Sequence, residues 1–210
     1  MEQGRLYSIG SNNYQTLKEA ARLGMTFDGK TVVEIDIKSS YLTILHGIAG
    51  VPIDLSAAPY EIPGVPRDVV KGWLVATLGA EKHLRRRPPT QIAEYPEKTG
   101  RDLGRDHPIK MIQEKMVEKF PVLARIGEPG LGCADLMFKE SEAIIQTMLA
   151  LIAAGIPALP VHDSLIVPAR AHDLAVVALT SSYEGAVGVK PGIEVNGLRT
   201  EKGVSALVTL

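Results

Sequence analysis

One cysteine, Cys133, is present among 210 residues, so no internal disulfide can form and no thiolate cluster can hold zinc. A reducing compartment is the expectation that follows. No apolar run reaches the roughly 18 residues of a membrane span, and Met1 is not followed by a basic then apolar leader. The chain reads as soluble and cytoplasmic, with no membrane partner. A net charge of −1 excludes attraction of the whole surface to a polyanion. Repeats and low-complexity tracts are absent as well. With 45% hydrophobic and 22% charged residues, wholesale disorder is excluded. The length suits one sizeable domain, or a core with an inserted lobe.

The residues that are present are unevenly spread. Lys82, His83, Arg85, Arg86 and Arg87 crowd together before Pro88-Pro89. They fit a solvated helix end and a polyanion contact equally well. A helix is expected over Leu17–Leu23, a turn at Asp28-Gly29, and a strand over Thr31–Ile37. In that strand Val33, Ile35 and Ile37 face one way and Val32, Glu34 and Asp36 the other. A short helix follows from Tyr41 to Ile48, then a proline-rich loop from Pro52 to Pro66. Next come a helix from Arg67 to Leu84, an irregular segment to Arg105, and a helix over Ile109–Phe120. Leu136–Ala154 is read as a helix with an apolar face of Ile144, Ile145, Met148, Leu149 and Ile152, stopped by Gly155. A hairpin over Ala158–Val167, a helix near Ala171–Ser182 and a hairpin turn at Asn196-Gly197 complete the pattern.

Two acids interrupt the β-prone stretches. Asp36 comes late in the first strand, and Asp163 lies near the tip of the hairpin, in Pro160-Val161-His162-Asp163-Ser164. They stand 127 positions apart, so only the fold can unite them. A strand-borne carboxylate is costly to bury unless paired or bound to metal, and two of them suit cations about 4 Å apart. His162 has no partner at zinc-site spacing and reads as a packed or outer histidine. Arg67 and Lys71, at i and i+4, share a helix face, where like charges repel. A fork and a point charge near a helix start suit a polyphosphate, although two solvated side chains beside Asp68 would look the same. Trp73 has the spacing of a core residue.

The order of these segments resembles the palm of family A DNA polymerases and of the related single-subunit phage-type RNA polymerases. Gly4-Arg5-Leu6-Tyr7-Ser8 with Asn13-Tyr14-Gln15 is similar to the family's segment that touches the primer–template duplex, with one residue inserted. Val33 to Leu42 resembles motif A, Arg67-x-x-x-Lys71 with Gly79 resembles motif B, and Val161-His162-Asp163-Ser164 resembles motif C. Ser164 matches the RNA polymerase version, where DNA polymerases usually carry glutamate. Leu78 replaces the aromatic residue expected before the motif B glycine, and the spacing from Lys71 is one residue short.

The resemblance implies an α+β fold of palm type, a mixed or antiparallel sheet covered by helices, with a small fingers-like lobe and no evident thumb. Residues 1–66 and 131–210 would form the palm and 67–130 the lobe. It further implies template-directed nucleotidyl transfer, with Asp36 and Asp163 holding two Mg²⁺ or Mn²⁺ ions. Arg67 and Lys71 would take the triphosphate, and Tyr41 would stand where the sugar is sensed, a ring there favouring deoxynucleotides. Arg5, Asn13, Gln15, Ser141 and His162 would face the nucleic acid, Ser141 being chosen over Glu140 because an acid repels phosphate. Partners would be a DNA primer-template and nucleoside triphosphates, with further replication subunits or a thumb-like partner supplying what is missing. Alternatives are a catalytically silent palm that binds nucleic acid, a primer-independent RNA polymerase or primase, and a metal-dependent phosphohydrolase.

Overall fold

The computed structural model describes residues 6–10, 13–55 and 58–198. It is an α+β fold whose strand pairs are all antiparallel, as expected for a sheet covered by helices. The chain divides into two compact units. One comprises the described residues up to Pro52 together with those from Leu136 onward, and the other runs from Ile53 to Asp135.

The first unit is built on β2 (Lys30–Lys38). A tight turn at Asp28-Gly29, both with positive φ, joins it to β1 (Thr26–Phe27), the geometry two-residue hairpins favour. β2 pairs with β4 (Ser164–Pro168) and with β5 (Gly192–Asn196), and β3 (Leu159–Val161) completes the sheet beyond β4. The strand β5 has clean alternation, Ile193 and Val195 buried and Glu194 and Asn196 half-buried. Sequence reading placed only a turn at Asn196-Gly197, where β5 in fact ends; the chain from residue 199 lies outside the described residues.

Alternation along β2 sorts the two faces as the sequence implies. Val33, Ile35 and Ile37 are fully buried on one side. On the other, Val32 packs with Val161 and Ile166 under Tyr14, Met25, Phe27 and Leu159. That second cover stops short of Asp36, which is half-buried. The sheet is therefore dry on both faces until the position of the acid.

Helices α1 (Glu19–Arg22), α2 (Ser40–Ile48), α7 (Cys133–Ala153) and α8 (His172–Val187) accompany the sheet. The apolar face expected on α7 is shifted. Leu149 and Ile152 are 55% and 62% exposed, and the buried residues are Leu136, Glu140, Ser141, Ala143, Ile144, Thr147 and Leu151. The three polar residues among them, Glu140, Ser141 and Thr147, misled a reading based on apolar spacing alone.

The second unit is helical: α3 (Arg67–Ala80), α4 (Pro89–Thr99), α5 (Leu103–Asp106) and α6 (Ile109–Lys119). The helix α3 stops at Ala80, capped by Glu81 in the left-handed region, and not at Leu84. Trp73 is in its core. The segment expected to be irregular up to Arg105 contains α4 and α5. Pro89 is at the first position of α4, where proline is favoured, and Pro96 is tolerated inside a helix with no buried residue. Among the described residues no helix is long and apolar enough to cross a membrane.

His46, buried near the end of α2, donates from Nδ1 to the carbonyls of Val51 and Pro52 at 3.2 and 3.0 Å. Burial outweighs those carbonyls and pushes its pKa below the ordinary value of 6.5. The unfolded chain then binds the proton first on acidification, so stability is complete above about pH 6.5 and declines below it. Calorimetry is expected to show the melting temperature falling between pH 7.5 and 5.5, less steeply in His46→Asn, which keeps a donor but cannot titrate. Equal slopes in the two proteins would clear His46 of this role.

Candidate active site

The register of β2 against β4 sets Asp36 directly opposite Ser164. One step further, the Ile37 amide donates to the Asp163 carbonyl at 3.3 Å. The two-residue turn His162-Asp163 thus brings the second acid beside the first. Both side chains are half-buried. On the other edge of β2, Glu194 of β5 stands directly opposite Asp36, where two carboxylates repel.

Glu34 shares the face of Asp36 two residues earlier and is 4% exposed. Arg22 of α1 grips it as a fork, Nε to Oε2 at 2.9 Å and Nη2 to Oε1 at 2.7 Å, while Nη1 donates to the Leu17 carbonyl. The Ser164 hydroxyl donates to the same Oε1 at 2.7 Å, its proton also within reach of the Val161 carbonyl at 3.0 Å. Arg22 has its pKa raised, first by the bond to Glu34 and further by the charges of Glu34, Glu19 and Asp36. A fixed cation therefore feels both acids of this face. Sequence reading passed over Arg22 and over Glu34. The signal was present in the strand itself, an acid between apolar neighbours that demands a counter-charge.

Backbone strain concentrates here. Four described non-glycine residues have positive φ: Asp28, Ser39, Glu81 and His162. Asp28 is in a hairpin turn and Glu81 caps a helix C-terminus, both usual places for it. Ser39 (φ 52°) follows β2 three residues after Asp36, and His162 (φ 53°) immediately precedes Asp163. Side chains in that region are held only where their surroundings impose it, which is most often at functional sites. Around Ser39 the holding contacts come from far along the chain. The Ser40 hydroxyl donates to Glu140 at 2.8 Å, and the Tyr183 hydroxyl donates to the Ser40 carbonyl at 3.3 Å.

The remaining residues singled out from sequence are dispersed. Arg5 lies outside the described residues. Asn13 caps a short 3-10 turn, accepting from the Gln15 amide and donating to the Gly10 carbonyl. Gln15 donates to the carbonyls of Leu6 and Pro160 and accepts from Ser8, tying the N-terminal segment to β3. Tyr41 is half-buried at the second position of α2. His162 is exposed at the turn, its ring edge-on to Tyr7 with centroids 6.5 Å apart. Ser141 is buried on α7, its hydroxyl without a hydrogen-bond partner among the described residues. Arg67 and Lys71 belong to the second unit, exposed on α3, and both lie over the Tyr60 ring, at 5.1 and 6.0 Å from its centroid.

The donors at Asp36 and Asp163 are hard carboxylate oxygens, which suit Mg²⁺ or Mn²⁺ rather than a soft metal. No group of three or more His, Cys, Asp or Glu side chains among the described residues forms a metal cage. A pair of carboxylates could hold Mg²⁺ if water and substrate phosphates completed its shell. The residues present fit the ion.

No family model matches the chain, and no curated protein matches it. Among solved structures the chain is similar to the POL domain of Pol1 from M. smegmatis in complex with DNA primer-template and dNTP, at 11% identity and a TM-score of 0.44. That alignment covers 80% of this chain and 40% of the other, so the chain spans less than half the length of that relative.

Proposed function

We propose that this chain is a palm-type nucleotidyl transferase that extends a nucleic-acid primer on a template. The observation that carries the reading is that the β2–β4 register brings the turn residue Asp163 beside the end of β2 that carries Asp36, although the two are 127 residues apart in sequence. Two divalent cations held there would supply charge stabilisation for the attacking hydroxyl and the leaving pyrophosphate. Asp36 and Asp163 are the residues that would hold those ions. Glu34, neutralised by Arg22, keeps its own charge out of the donor set and fixes Ser164 beside Asp163.

In this reading Arg67 and Lys71 are the cations for the triphosphate. Their common exposed face and shared aromatic neighbour support the assignment. Tyr41, three residues beyond Lys38 and at the start of α2, is the candidate sugar sensor and favours deoxynucleotides. His162 is the candidate nucleic-acid contact with the best access, being exposed beside Asp163.

A labelled primer annealed to DNA or RNA template, incubated with dNTPs or rNTPs and Mg²⁺ or Mn²⁺, tests the proposal. Template-dependent extension, with dNTPs preferred, is the expected result. Release of phosphate without extension would replace the reading by a phosphohydrolase. A folded protein that binds duplex and extends nothing would replace it by a silent palm.

A further inference from the structure

The bend between β2 and α2 is gripped from three sides, by Thr43, Glu140 and Tyr183. Ser39 is left-handed at the N-terminal boundary of a helix, where extended backbone is the rule. The Thr43 hydroxyl donates to its carbonyl at 3.3 Å. Ser40 is held at its hydroxyl by Glu140 of α7 and at its carbonyl by Tyr183 of α8. All three of Ser40, Glu140 and Tyr183 are buried, Glu140 to 1% exposure. Burial and the charges of Glu140 and Asp163 push the Tyr183 phenol up, so it remains a donor throughout the working range of pH. Burying a carboxylate is costly, and one of the bonds made by Glu140 is to Ser40. Its position gives the reason: it anchors the corner that ends the strand of Asp36.

We propose that Glu140 is a positioning residue for the carboxylate pair. Through Ser40 it fixes the strained bend at Ser39, and with it the end of β2 that sets Asp36 against the His162-Asp163 turn. The inference rests on the proposed divalent-cation site. It assigns to that site a residue 104 positions from Asp36 on a different element. Set among Lys139, Ser141 and Glu142, it is not marked by the sequence as a buried acid.

Direct binding of Mn²⁺ to the full chain, followed by the paramagnetic signal of the free ion, separates this role from a structural one. In Glu140→Gln the amide oxygen still accepts from Ser40, and affinity is expected within about threefold of the parent. In Glu140→Leu the volume is kept and the bond lost, and affinity is expected to fall about tenfold, the usual scale for residues that orient metal ligands. The melting temperature of that variant is expected at or above the parent's, because a buried charge has been removed. Should Glu140→Leu fail to fold, Ser40→Ala removes the other half of the same bond and is expected to weaken Mn²⁺ binding severalfold. Parent-like affinity in the folded variant lacking this bond would overturn the inference. Equal losses in Glu140→Gln and Glu140→Leu would overturn it too, since charge and not the bond to Ser40 would then matter. A parent that binds no Mn²⁺ would remove the cation site itself, and the inference with it.

Discussion

Asp36→Asn and Asp163→Asn are each expected to lower templated incorporation by on the order of 10³-fold, with the melting temperature unchanged or raised. The size follows from the several kcal/mol of charge stabilisation that metal ions give a phosphoryl-transfer transition state. The direction of the stability change follows from the sheet. Asp36 stands directly opposite Glu194, and like charges across a strand pair cost about 0.2–1 kcal/mol. Asparagine keeps the shape and removes the repulsion, which for a chain of this size is a gain of up to about 4 °C. A residue kept for folding would lose activity and stability together. Extension rates and calorimetry on the same preparations separate the cases, and a parent-like rate in Asp163→Asn would end the two-carboxylate mechanism.

Arg22→Ala is expected to destabilise the first unit by about 3–5 kcal/mol. The fork is buried at Glu34 and half-buried at Arg22, with side chains 5% and 14% exposed. Truncation leaves a carboxylate in a dry sheet with only the Ser164 hydroxyl facing it from the hairpin. That loss corresponds to roughly 10 °C in melting temperature. The double variant Arg22→Met with Glu34→Leu is expected to recover most of it, since replacing a whole buried pair by apolar groups is often neutral. Recovery of stability without recovery of metal binding would show that the pair serves the site as well as the core. Arg22→Ala melting within 2 °C of the parent, an order-of-magnitude threshold on the same scale, would show that water reaches Glu34 and that the pair contributes little.

Much of the frame was legible because it is written in local chemistry. The alternation of β2, the Asp28-Gly29 turn and the two acids at strand ends follow from residue spacing alone. The hairpin at His162-Asp163 was readable although glycine, the usual residue at a positive φ, is missing there. What resisted reading was tertiary. Glu140 and Thr147 lie in the buried stripe of α7 because Glu140 has a partner 100 residues upstream, so apolar counting drew the stripe toward Leu149 and Ile152. The fork of Arg22 on Glu34 spans twelve residues and two elements, and no periodicity announces it. The helix α4 was hidden by its prolines, which mark its first position as well as its interior.

The pairing of β2 has a consequence for how the chain is made. Apart from the two-residue β1, its partners are β4 and β5, which begin at Ser164 and Gly192. More than 120 residues must therefore leave the ribosome after Lys38 before either partner exists, roughly ten seconds of synthesis. Through that interval a nine-residue strand rich in valine and isoleucine waits with its edges open. Unpaired apolar edges of this kind recruit other chains, and charges set within them are what prevents it. Glu34 and Asp36 interrupt the run where it would be most adhesive. The same two acids that later take an arginine and the proposed cations would first keep the nascent strand solitary until its own partners arrive.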